Sequence, residues 1–363
     1  MKILYVTTVG GTMNFFRSFI SELVQEGHTV DIACNDSSSK VPEFYRELGC
    51  SVYSIQTTRS PLNKGNLTAI KQLKRLVKEN NYDIVHCHTP VAAMCTRIAG
   101  RKARKNGTKI FYTAHGFHFY KGAPLKNWLI YYPVERLCSY WTDILITINQ
   151  EDYIFAQKKM KARHIEYVPG VGIDLEKFSK ASIDKRKKRQ ELGIPDGVKL
   201  LLSVGELNKN KNHETVLRAI ADIPNVYYII AGRGVLQRHL QEIIDECGIE
   251  DRVKLLGFRK DIKELCEAAD VFVFPSFREG LSVSVMEAMA SGLPVVCSRI
   301  RGNTDLVDEN GGMLFNPGRV DDCREAIEKL LALDLKSLGR YNTVKIERFS
   351  YEKINEQLNE IYG

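Results

Sequence analysis

Two carboxylates eight residues apart, Glu279 and Glu287, stand in the stretch 271–298, VFVFPSFREGLSVSVMEAMASGLPVVCS. The stretch opens with four apolar residues, breaks at Pro275-Ser276, and turns through Arg278-Glu279-Gly280 into a helix-forming run, Val283 to Ala290. Gly292, Pro294 and a second apolar run, Val295 to Cys297, follow. This is strand, loop, helix, turn, strand, the repeat of a doubly wound sheet. Ligands of such sheets bind outside the carboxyl ends of the strands, which is where Glu279 is expected. Glu287 is expected about a turn into the helix, looking back over the same place. Between them Gly280, Leu281, Ser282 and Ser284 offer amides and hydroxyls, the usual means of holding phosphate at a helix N-terminus. Amides for phosphate together with carboxylates for hydroxyls suit a sugar nucleotide. Taken alone, the two acids read equally well as a helix-start acid favoured by the dipole and a solvated helix residue.

Other candidates sit at other strand ends. Lys199 to Val204 is an expected strand, and the loop after it carries Glu206, Lys209 and Lys211. A solvated loop is the plain account of these lysines; their place after a buried strand favours an anion site. Lys109 to Thr113 runs into Ala114-His115-Gly116-Phe117-His118, where His115 is either a hydrogen-bonded strand-end residue or a site residue. Lys2 to Thr7 runs into Val9-Gly10-Gly11-Thr12, a turn whose glycines allow close backbone approach. It lacks the full G-x-G-x-x-G of a dinucleotide site, so no nicotinamide cofactor is expected. His86-Cys87-His88 tempts a metal reading, but successive residues of a strand point to opposite faces, and capping or core packing accounts for them better. Arg259 follows the strand Val253 to Leu256, and Met13 to Gln25 is expected as an amphipathic helix.

The frame P-S-x-x-E-G-x6-E-A-x-A-x-G-x-P over 275–294 resembles the signature of retaining glycosyltransferases of family 4. The likeness runs through nearly the whole chain, from the first strand and loop to Phe349-Ser350-Tyr351. It implies the GT-B architecture: two facing α/β, Rossmann-like domains with a cleft between them and a C-terminal helix crossing back to the first. By the same likeness Glu279 contacts the donor sugar, Glu287 holds the ribose hydroxyls, and Lys211 grips the diphosphate. Gly10 and Gly11 face that diphosphate from the first domain, His115 lies near the reacting sugar, His118 sits on the acceptor side, and Arg259 lies near the base. Two departures stand out. Glu206 occupies the place where the family often has arginine, leaving Lys209 or the first domain to supply that charge, and Gly170-Val171-Gly172 replaces the usual interdomain asparagine segment.

The resemblance implies a bacterial enzyme of capsule or exopolysaccharide synthesis. It would move a hexose or N-acetylhexosamine from a UDP-sugar to a polyprenyl-diphosphate-linked or growing saccharide, with retention. No cofactor is expected; the chain has no D-x-D triplet, and metal-independent chemistry follows. A UDP-N-acetylglucosamine 2-epimerase of the same architecture and a non-catalytic nucleotide-sugar binder are the alternatives.

At 363 residues the chain is too long for one comfortable core. The expected division is 1–175, a linker 176–198, 199–345, and a crossover helix 346–363. Nine scattered cysteines without a C-x-x-C pair suit a reducing cytosol, and no signal peptide or membrane-length apolar run is read. Of the net charge of +8, residues 1–175 hold 23 Lys plus Arg against 14 Asp plus Glu. The basic run 185–189 lacks interleaved aromatics for stacking and reads as a solvated helix start, so no nucleic-acid partner is expected. Residues 125–141 carry two Trp and three Tyr. These suit core packing around Pro133, or a peripheral seat on the cytoplasmic face of the inner membrane.

Overall fold

The computed structural model describes residues 1–37, 39–58, 60–61, 63–179 and 183–363. Two units share them, one formed by Met1–Val171 with Ile354–Gly363 and one by Gly172–Lys353. In the first unit seven parallel strands, β1 (Lys2–Val9), β2 (Thr29–Asn35), β3 (Ser51–Ser54), β4 (Ile84–His88), β5 (Lys109–Ala114), β6 (Ile144–Thr147) and β7 (His164–Tyr167), lie in the order 3-2-1-4-5-6-7. In the second, β8 (Lys199–Val204), β9 (Val226–Ala231), β10 (Val253–Gly257), β11 (Val271–Phe274), β12 (Val295–Ser298) and β13 (Gly312–Phe315) lie in the order 10-9-8-11-12-13. Both orders are doubly wound, and they reverse between β1 and β4 and between β8 and β11. Helices cover both faces of each sheet, which explains why strands such as β9 and β11 are apolar without alternation and are buried at every position.

The glycine loop folds differently from its expected form. Gly10–Phe16 is a 3-10 helix that leads into an α-helix only at Arg17–Gln25. A Cβ on Gly10 would lie 2.4–2.7 Å from backbone atoms of residues 39–41. Gly10 is therefore required by chain-against-chain packing at the start of the 3-10 helix.

The expected linker also differs. Residues 180–182 lie outside the described residues, but Lys185–Glu191 is a helix capped by Asp184 and belongs to the second unit. Its basic run is not a merely solvated face. Lys185 Nζ and Arg189 Nη2 reach Asp270 at 3.0 and 2.5 Å, and Lys188 Nζ reaches Asp261 at 2.8 Å.

The chain's last helix, Tyr351–Tyr362, returns its end to the first unit. Tyr362 Oη lies 3.0 Å from Tyr5 Oη and 2.6 Å from His86 Nδ1, while Asn355 and Asn359 donate to Glu22 at 2.5 and 2.6 Å. These buried polar partners fix where the helix end sits more sharply than apolar packing alone would.

The aromatic stretch forms a helix, Leu125–Ser139, that continues through Pro133. Trp128, Tyr131 and Tyr132 turn inward, and Trp128 and Tyr132 lie 5.6 and 5.4 Å from Phe119. The helix is locked to its neighbour Pro90–Gly100 by a buried ion pair, Arg97 Nη2 to Glu135 Oε2 at 2.8 Å, with the guanidinium over the Tyr112 ring. Removing one member strands the other charge out of water. Glu135→Ala is therefore expected to cost about 3–5 kcal/mol in denaturant unfolding, and Arg97→Met/Glu135→Leu to recover most of it. A loss below about 1 kcal/mol for the single variant would refute this account of the helix pair.

Candidate functional site

In the second unit the order reversal brings the ends of β8 and β11 side by side, and two loops leave in different directions. Side-chain amides stitch these loops together. Asn212 Nδ2 donates to the Pro275 carbonyl at 3.0 Å, Asn210 Nδ2 to the Arg278 carbonyl at 2.9 Å, and Phe277 N–H to the Asn210 carbonyl at 2.8 Å. Asn212 takes a left-handed conformation, φ 54°, which asparagine tolerates. Lys211 is held between them, its Nζ 2.7 Å from Glu279 Oε1 and above the Phe274 ring at 4.7 Å. Each side chain keeps about a fifth or less of its surface exposed, 20% for Lys211 and 17% for Glu279. The pair is thus screened less than a surface ion pair.

Ser282 caps the helix Val283–Ala290, accepting from Val285 N–H at 3.4 Å, so its oxygen is committed to the helix. The first-turn amides at 283 and 284 remain as donors of the helix start. Gly280 lies against Gly302, where a Cβ would fall 2.1 Å from the Gly280 carbonyl oxygen, and Arg301 Nε donates to the Glu279 carbonyl at 3.2 Å. Leu281 packs on the core. Ser284 is half-buried beside the cap. Glu287 lies on the same helix, and burial pushes its carboxyl up to about 7 against the opposing pull of Lys177.

Around this centre, Glu206 and Lys209 are exposed, and Lys209 makes no ion pair among the described residues. Arg259 follows β10, two strands from β8 in the same sheet. Its guanidinium is committed to Asp261, with Nε 2.7 Å from Oδ1, and this holds the Asp261 carboxyl well below its usual range. The Nη1 side of the guanidinium is left by this pair as the donor it could offer a ligand.

In the first unit His115 stands after β5. Gly116 at φ 115° turns the chain, and Phe117 N–H donates to Asp152 Oδ2 at 3.0 Å. His115 Nε2 meets His88 Nδ1 at 3.1 Å, while His86 is bonded by both ring nitrogens, to Tyr362 and to Thr113 Oγ1 at 2.8 Å. Burial lowers His115 to about 4 and His86 to about 3, and holds His88 well below its ordinary value. Burial thus favours the neutral form of all three imidazoles, and in the His88–His115 bond one ring nitrogen donates and the other accepts. Among the described residues no group of three or more His, Cys, Asp or Glu is arranged to hold a metal ion. His118 stacks on Tyr131 at 4.6 Å. Gly10 and Gly11 follow β1, beside β4 at the other order reversal.

The Lys211, Glu279 and helix-start residues come together in the second unit, and His115 gathers with the two β4 histidines in the first. Sequence reasoning placed His88 only in capping or core packing, and did not single out Asp152, Asn210, Asn212 or Arg301. The signal for His88 lay in strand register: it pairs with Thr113, two residues before His115.

Residues 184–344 match the family described as Glycosyl transferases group 1, and residues 2–149 match Glycosyl transferase 4-like. EpsD of Bacillus subtilis, a glycosyltransferase by name, is 37% identical over all of this chain and 96% of its own length. The chain belongs to the glycosyltransferases. A second relative of this glycosyltransferase, 30% identical over 82% of the chain and 81% of its own length, is the Escherichia coli UDP-Gal:alpha-D-GlcNAc-diphosphoundecaprenol alpha-1,3-galactosyltransferase. Among solved structures, Anabaena HepE in complex with UDP superposes with a TM-score of 0.83 at 22% identity, covering 100% of this chain and 99% of that one. With the sheet orders above, this makes the fold GT-B.

The raised carboxyl of Glu287 has a consequence for stability. A folded value above the ordinary 4.5 gives a contribution fully present below about 4.5 and lost as the pH rises through about 7. Compared with Glu287→Gln, the wild-type enzyme should lose unfolding free energy by roughly 1.4 kcal/mol per pH unit within that window. A difference that does not change with pH in denaturant titrations would contradict the burial of this group.

Proposed function

We propose that the enzyme is a retaining glycosyltransferase that takes a UDP-sugar as donor. Its acceptor on this reading is a polyprenyl-diphosphate-linked or growing saccharide in capsule or exopolysaccharide synthesis, met at the cytoplasmic face of the inner membrane. The observation that carries the reading is the 2.7 Å Lys211–Glu279 pair at the reversal between β8 and β11, directly before a capped helix start. Support for the donor comes from the UDP bound by HepE and from the UDP-Gal in the name of the E. coli relative, whose name also supplies the diphosphoundecaprenol acceptor.

On this reading the diphosphate displaces Glu279 from Lys211. The ammonium then faces phosphate, and the freed carboxylate orients the hydroxyls of the donor sugar. The bond between the anomeric carbon and the β-phosphate oxygen breaks as the acceptor oxygen bonds on the same face, and the acceptor proton passes to the leaving phosphate. Lys211, Lys209 and the amides at 283 and 284 stabilise the charge that develops on the diphosphate without reorganising at the moment of reaction. Glu287, drawn into its ionised form by ribose hydroxyls, holds the nucleoside. In the first unit the family likeness assigns His115, which burial keeps neutral, to the sugar, His118 to the acceptor, and Gly10 and Gly11 to the diphosphate.

The test is transfer from a UDP-sugar panel to a polyprenyl-diphosphate-linked saccharide, with the anomeric configuration of the product read by NMR. Lys211→Ala and Glu279→Gln are each expected to lower kcat by on the order of 10²–10³, and Glu287→Ala to raise the donor KM chiefly. Near-normal turnover in a folded Lys211→Ala or Glu279→Gln variant would sink the assignment. Conversion of the donor in the absence of any acceptor would replace it with an epimerase.

A further inference from the structure

The helix Leu125–Ser139 is apolar on two opposite faces, and the first unit covers only one of them. Trp128, Tyr131 and Tyr132 take the inner face. Leu125, Leu129 and Leu137, spaced at multiples of four residues, keep 73%, 69% and 56% of their surface exposed. Positions four apart are neighbours on a helix surface, and exposed Pro133 completes the row. Of the fourteen exposed large apolar side chains among the described residues, five lie on this helix or at its end, with Ile130 and Tyr140 joining the three leucines. Single exposed apolar residues are ordinary, whereas a contiguous row of this kind marks a surface that meets something.

The charge around the row says what that something is. Lys121 and Lys126 flank its N-terminal end, both exposed. Arg101, beside the Trp141 ring at 5.7 Å, flanks the other end. On the adjoining helix Gln150–Lys159, Lys158 and Lys159 are exposed, and the Lys159 carbonyl accepts from Arg136. Among the described residues none of Lys121, Lys126, Arg101, Lys158 and Lys159 is paired with a carboxylate. The acids nearest the row are spent inside the unit, Glu135 on Arg97 and Asp143 on Arg104. Glu151 accepts from Lys121 N–H at 3.3 Å. An aliphatic row rimmed by unpaired cations has the composition of an element that lies in a bilayer interface, leucines in the acyl boundary and lysines at anionic headgroups. No helix among the described residues is long and apolar enough to cross a membrane.

We infer that the Leu125-Leu129-Leu137 face docks this enzyme onto an anionic phospholipid bilayer. The face begins next to the His118 turn, whose carbonyl accepts from Asn127 Nδ2 at 2.9 Å. Docking would therefore set the candidate acceptor side of the first unit at the lipid surface. The inference deepens the membrane part of the proposed function, but it is tested without turnover, so failed docking and a failed transfer assay are separate results.

The experiment is flotation of the full chain with phosphatidylglycerol–phosphatidylcholine vesicles and with phosphatidylcholine alone. The wild-type chain is expected to float with the anionic vesicles at low salt and to dissociate as salt rises. Leu125→Ser/Leu129→Ser/Leu137→Ser should weaken binding at least about tenfold with its unfolding temperature and nucleotide-induced shift retained. Lys121→Gln/Lys126→Gln should weaken binding and flatten its salt dependence. Absence of wild-type flotation at low salt overturns the inference, and so does a triple variant that floats like wild type. A wild-type dimer that the triple variant converts to monomer, with no vesicle binding by either, would assign the face to a second copy instead.

Discussion

A lysine and a glutamate from loops 68 residues apart meet at 2.7 Å because the second sheet reverses its strand order between β8 and β11. Everything proposed about the chemistry depends on that meeting. The two loops that leave these strand ends are tied to each other by Asn210 and Asn212, which donate to the carbonyls of Arg278 and Pro275. The ion pair then sits on a rigid base, partly out of water, where its charges act more strongly than they would on a surface. Close backbone approach supports the same base. At Gly232 a Cβ would lie 1.8 Å from the Gly205 carbonyl, so only glycine fits beside the strand end from which Lys211's loop departs.

The first unit solves a different problem with the same strand order. Its carboxyl edge gathers three neutral imidazoles, and the chain's own C-terminus anchors one of them through Tyr362. A chain that crosses back for its last ten residues thereby becomes part of the support beneath a candidate site residue. A loss at Tyr362 would be felt at His86, and His86 and His88 are neighbours on one strand face with ring centroids 4.2 Å apart.

The strands β1, β5, β8, β11 and β12 were legible because parallel strands covered on both faces read as near-continuous apolar runs. The P-S-x-x-E-G frame was legible because strand, loop and helix follow one another within twenty residues. What was hidden came from distant partners. The basic run at 185–189 looked solvated because Asp261 and Asp270, which neutralise it, lie more than seventy residues away. The backbone at 39–41 that leaves room only for glycine at position 10 lies about thirty residues further along the chain. The stretch 125–141 gave no period to tell its faces apart: Trp128, Tyr131 and Tyr132 pack inward, while Tyr140 and the leucines at 125, 129 and 137 face outward. His88 needed the β4–β5 register to be recognised as the partner of His115.

The most direct measurement of the central claim is thermal unfolding of the full chain against UDP, GDP, ADP and CMP, repeated with Lys211→Ala. Selective stabilisation by UDP that the variant loses would place the nucleotide diphosphate on the Lys211 ammonium. Stabilisation by none of the four at millimolar concentration, or a UDP shift undiminished in the variant, would contradict the donor site described for the second unit.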